Sequence, residues 1–261
     1  MRAFRSVLAS FVFSACWQAA VAEPLVTDWP DLVDEAAQNF EDPFRDLTFD
    51  QLVALRTFVN AQESLTSGDT AEDDRSQLEA QLADVEAELK AEGIDANWLI
   101  SQRWVVADRR KLAGEAGNPA KDGEIIKLGG FVIPAPAAED GTPVGYLVPE
   151  RGMCSHVPPP PPNQMVRLRL TNGWKSTEMY EPIVVTGQLQ IQPSDERMMV
   201  VDGFVSMRAT FEMDVTDVQT FSKNDVRQSV GTTDPSAATK TWAEGLAEKL
   251  KQNRQSQTEN Q

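Results

Sequence analysis

The chain reads as an α+β protein: an N-terminal helical arm or hairpin followed by a five-stranded, OB-like small β-barrel. Three observations predict this. Helical caps and 3.6-residue apolar spacing fill the region before Gly117-Asn118-Pro119, strict alternation replaces them afterwards, and Gly129, Gly130 and Gly187 fall inside the alternating runs, where glycine marks bulges and tight corners.

The opening stretch, residues 1–22, has Arg2 and Arg5 ahead of a short apolar run and ends in Ala20-Val21-Ala22, the pattern of a cleaved signal peptide. This predicts a periplasmic product with no stable membrane insertion after cleavage. Lipid attachment at Cys16, which Ser14 and Ala15 precede, is the alternative.

Residues 23–117 form the acidic helical region. Leu25 to Phe44 reads as ordered loop plus a short helix, with Trp29, Leu32, Val33, Phe40 and Phe44 as anchors. Thr48 and Gln51 make a capping box with Leu47 stapling onto Leu52, and the helix they start carries Leu52, Leu55, Phe58 and Val59 on its apolar side. Leu78, Leu82, Val85 and Leu89 recur as the seam of a second helix that stops at Gly93. Asp95 caps a third, in which Ile94, Trp98, Val105 and Leu112 share a face and Arg109, Arg110 and Lys111 sit near the negative end of the dipole.

Residues 118–221 form the β module, with strands at 124–133, 144–148, 165–170, 183–192 and 204–218. In the last, Val205, Met207, Ala209, Phe211, Met213 and Val215 alternate with polar residues. The tail, residues 222–261, is polar and expected to be largely disordered apart from a short helix through Trp242, Leu246 and Leu250.

Formal net charge is −16, and residues 23–123 hold 23 acidic side chains against 9 basic ones. Without a basic stripe to release counterions, nucleic-acid binding is disfavoured. P-loop, dinucleotide, CxxC and HExxH motifs are all missing from the sequence.

The remaining chemistry sits in CSHVPPPPPNQ, Cys154 to Gln164, which holds the single histidine and the one cysteine outside the leader. Five prolines, Pro158, Pro159, Pro160, Pro161 and Pro162, make a polyproline II rod without backbone donors. The rod stiffens what flanks it and, with Asn163 and Gln164, is the candidate partner-binding surface. In extended backbone Cys154 and His156 project to one side, a start on a zinc site that carboxylates, water or the same pair from a second subunit of a homodimer would complete. The competing readings are a core cysteine in a purely structural interaction module and, third, a cysteine nucleophile activated by His156.

EIIKLGGFVIP (residues 124–134), YLVP (146–149) and GMCSHVPPPPPNQ (152–164) together resemble the bacterial exported family called domain of unknown function 3299 over about residues 112–221. Trp29 matches a tryptophan near the mature start of relatives, and Ser155 stands where they usually carry an apolar residue. The resemblance implies a periplasmic or lipoprotein module that accompanies ABC-transporter components, in some cases in zinc-related settings. Function is therefore expected to be non-enzymatic: an accessory or binding protein whose Cys154, His156 and proline surface meets a transport partner or a transition metal.

Overall fold

The computed structural model describes residues 23–67, 72–154, 158–200 and 203–220. The leader, the tail with Trp242, Leu246 and Leu250, and Ser155 and His156 lie outside the described residues. The chain is a mixed α+β protein in which N-terminal helices precede a six-stranded mixed sheet.

The chain enters through β1 (Leu25–Val26), which pairs in parallel with Ile126 and Lys127, and a 3₁₀ turn at Trp29–Leu32. A one-turn helix, α1 (Glu35–Gln38), follows. The helix α2 (Phe49–Ser67) starts on the capping box: the Thr48 amide donates to Gln51 Oε1 at 2.9 Å and the Gln51 amide to Thr48 Oγ1 at 3.3 Å. Its buried residues are Leu55, Phe58 and Ala61, while Leu52 turns outward. They meet Leu82, Val85 and Leu89 of α3 (Glu72–Ala91), which ends where Gly93 adopts a φ of +80°.

The helix α4 (Ala96–Glu115) is capped by Asp95, whose carboxylate accepts from the Trp98 amide at 2.9 Å. It docks on a different face from the one its sequence pattern favours. Ala96, Leu99 and Val106 are buried, whereas Trp98, Val105 and Leu112 are exposed. Two apolar lines one position apart run along this helix. The line that starts at Ala96 and leads on to Ala113 has small residues at its ends, so it lets the backbone approach its neighbours more closely than a line of tryptophans would.

The β module closes on itself. β2 (Ile125–Ala135), β3 (Val144–Val148), β4 (Val166–Arg169), β6 (Gly203–Thr220) and β5 (Glu181–Val200) pair in that order, and β5 pairs back onto β2 from Ile125↔Gln188 to Val132↔Glu181. The result is a five-strand hydrogen-bonded ring with one parallel pairing, β4 with β6. At Gly187 an added Cβ would lie 2.3 Å from the Asp214 carbonyl oxygen, and the β5–β6 register shifts there. Only glycine admits that approach.

Leu128, Val132, Leu147, Val166, Leu168, Val185, Leu189, Phe211 and Met213 fill the ring, and Trp29 and Leu32 join them. The Trp29 indole donates to the Gly129 carbonyl at 2.8 Å. Strands β5 and β6 run past the ring. Their register shifts a second time between Ile191 and Ser194, around Pro193, which has no amide to leave unpaired. Beyond this bulge Met198, Met207 and Ala209 pack on Phe131, Ile133, Tyr146 and Val148. These alternate with Val132 and Leu147 of the ring interior, so the extended hairpin covers the outer face of β2 and β3 and makes a second buried layer.

Candidate functional site

Met153 and Cys154 lie against this outer layer, and Pro161 and Asn163 reach the end of α4. Cys154 closes a turn at residues 151–154 with a φ of +69°, a left-handed conformation that interrupts the extended strand expected there. The preceding carbonyl, of Met153, accepts a hydrogen bond from the Tyr180 hydroxyl. Cys154 is 6% exposed and shares the outer layer with Met165, Met198 and Met207, with Met153 packed against it. Burial pushes its thiol up to about 11. Among the described residues no three of the types His, Cys, Asp and Glu come together as a metal cluster.

The proline rod has an outer and an inner side. Pro158, Pro159 and Pro161 are exposed and Pro160 is buried, while Pro162 opens a 3₁₀ turn, Pro162–Gln164. Pro161 has φ −59° and ψ 151°, polyproline II geometry, and its Cβ lies 3.4 Å from where a Gly114 Cβ would stand on α4.

The two amides that follow are spent on backbone carbonyls. Asn163, 2% exposed, donates through Nδ2 to the carbonyls of Ala113 at 2.8 Å and Ala116 at 3.0 Å. These are carbonyls a helix leaves without intrahelical partners at its C-terminus. Gln164 Nε2 donates to the Trp29 carbonyl at 2.9 Å. The same joint is crossed by the Asn118 amide to the Leu32 carbonyl at 2.8 Å, the Thr210 hydroxyl to the Glu115 carbonyl at 2.7 Å, and an ion pair from Arg208 to Glu115. Asn163 and Gln164 thus fasten the helical region to the ring.

One polar group of residues escapes sequence reasoning. Arg167 on β4 lies against Glu212 on β6 and has Nε 3.0 Å from Glu196 on the extended hairpin. Tyr146 stands beside them with no exposure, and burial, reinforced by the Glu196 carboxylate, holds its phenol well above the usual range. Alternation places Tyr146, Arg167 and Glu212 on the outer faces of their strands, but the signal that this face would be covered lies in Met198, an apolar position beyond the predicted strand end at residue 192.

At its outer side α4 presents Trp98, Trp104, Val105 and Leu112, between 44% and 69% exposed. The described residues contain no helix long and apolar enough to cross a membrane.

No curated protein matches. The chain is similar to a crystallised DUF3299 family protein from Pseudomonas aeruginosa PAO1, with 20% identity over 77% of this chain and 98% of the other, at a TM-score of 0.39. The sequence profile of the family described as "Protein of unknown function (DUF3299)" matches residues 29–220, nearly the whole described chain, and the protein belongs to that family.

Proposed function

We propose that the protein is a non-enzymatic, exported accessory protein of the periplasm that works by holding a protein partner, a component of an ABC-type transport system. The observation that carries this reading is the outward apolar face of α4. Trp98, Trp104, Val105 and Leu112 are large, exposed and on one helix, and tryptophan is the residue type that most often dominates a protein interface. The exposed prolines Pro158, Pro159 and Pro161 are a separate candidate contact, since Pro161 lies against Gly114, on the side of α4 opposite Leu112. The ring, closed by β2 on β5, serves in this reading as an OB-like small barrel that keeps the surface rigid. A thiol that burial keeps protonated at neutral pH is a poor nucleophile, which weighs against a cysteine-dependent enzyme.

The test is capture of a defined transporter component from solubilised envelope by the mature protein. The combined substitution Trp98→Ser with Trp104→Ser is expected to abolish capture without changing the unfolding midpoint. Equal capture by the double variant would end the reading, and a concentration-dependent sedimentation coefficient lost in that variant would assign the face to a homodimer instead.

A second reading, metal binding at Cys154, is favoured by the sulfur-bearing side chains that surround it. In its zinc form His156 would be the partner ligand, and zinc titration of wild type beside His156→Ala tests it.

A further inference from the structure

We infer that the layer between the extended β5–β6 hairpin and the outer face of β2 and β3 is a binding site for a soft monovalent cation, a cuprous ion, held by the Cys154 sulfur and the thioethers of Met198, Met207 and Met165. The inference rests on the metal reading of Cys154 and narrows it to one ion class and one donor set.

The distribution of sulfur carries the argument. Of nine buried side chains in this layer four contain sulfur, and Met153 packs against them as a fifth. The ring interior has fifteen buried residues and a single one, Met213. Methionine used simply to fill gaps has no reason to avoid the larger core. The four donors also come from four segments: the turn ending at Cys154, the residue before β4, and the two strands of the hairpin. They converge only because the bulge at Ile191/Ser194 sends the hairpin onto the ring's outer face.

Within the hairpin Met198 pairs with Val205 and Met207 with Glu196, which sets the two methionines on one face as diagonal neighbours. Cys154 and Met198, each 6% exposed, are the most accessible of the nine buried members of the layer and mark the edge where an ion enters. Thiolate and thioether donors in an apolar, nearly dry setting select a monovalent copper ion over divalent zinc, which prefers four nitrogen, oxygen or thiolate ligands.

Binding is a ligand exchange. The S–H bond of Cys154 breaks, a Cu–S bond forms, one proton leaves to solvent, and copper keeps its oxidation state throughout.

The experiment is an anaerobic titration of the full mature chain with Cu(I) against a chromophoric Cu(I) chelator, repeated with Ag(I) as a redox-inert probe. The expected result is one ion per chain with release of one proton. Cys154→Ser should abolish binding. Met198→Leu and Met207→Leu should each weaken it by more than about 10-fold, the loss that even outer-shell partners of a metal produce. Met213→Leu, in the ring interior, should leave it unchanged. Because leucine for methionine nearly conserves volume, unfolding midpoints of these variants report whether the layer is still formed. Wild-type failure to bind either ion overturns the inference, as does equal affinity in folded Met198→Leu and Met207→Leu. Zinc binding that His156→Ala removes and Met198→Leu spares would return the site to the zinc form and equally overturn the copper assignment.

Discussion

The protein has two buried layers back to back on the same strands, and they are built from different materials. Inside the ring, Leu, Ile, Val and Phe dominate, and these have few rotamers and no polar atoms. Outside it, between β2–β3 and the extended hairpin, sulfur-bearing side chains lie beside Tyr146, and Arg167 joins Glu196 and Glu212 nearby. The inner layer is bounded by hydrogen-bonded strands on every side. The outer one is covered by a two-stranded extension held mainly by its own ladder. The contrast assigns stability to the first and adaptability to the second: flexible thioethers tolerate change and can serve as ligands, whereas interlocked branched side chains fix one geometry.

Breaking the inner layer should have the largest effect. Phe211→Ala removes a fully buried ring from the interior and is expected to cost about 4 kcal/mol in urea-induced unfolding, near the middle of the range for such truncations. Met207→Ala in the outer layer should cost less, because a hairpin attached at one end can settle into the space. Equal costs would remove the distinction.

The joint between helices and ring comes next. Asn163→Ala removes a buried donor from two carbonyls, of which Ala113 keeps the Gln38 side chain and Ala116 the Asp34 amide, and should cost about 1 kcal/mol. Hydrogen exchange in the last turn of α4 should accelerate with it. Unchanged exchange there would show that the joint is held by Thr210 and Gln164 instead.

The last effect is a pH slope. Burial raises the folded-state pKa of Cys154 to about 11, above the ~8.5 of an unfolded thiol, so as pH rises the unfolded chain loses its proton first. Stability is therefore fully present below about pH 8.5 and falls between there and pH 11, with a limiting slope of about 1.4 kcal/mol per pH unit for one proton. Tyr146 shifts in the same direction, so the measurement is the difference between wild type and Cys154→Ser in unfolding at pH 8 and pH 10.5. Parallel curves would mean that the thiol reaches solvent.

Much of this architecture can be read from residue patterns because local chemistry dictates it. The Thr48–Gln51 box, the Asp95 cap, the Gly93 stop and the alternation from Val205 to Val215 each act within a few residues. Gly187 was legible as a corner for the same reason. The docking face of α4 was not, since two apolar lines one residue apart are equally periodic and only the neighbours choose between them. Nor was the outer layer: the predicted strand stops at residue 192, yet a bulge lets the ladder continue through Pro193 to Val200. For the motif, the sequence shows a stiff rod ending in two amides. That Asn163 reaches α4 and Gln164 reaches Trp29 depends on contacts 47 to 135 positions away along the chain.

Asn163 has a mechanical consequence. One side chain grips the last turn of α4, directly after the proline run in the chain. A partner that tilts the helices must pull on that grip together with the Thr210 and Arg208 links beside it, so movement at the tryptophan face is carried into β6.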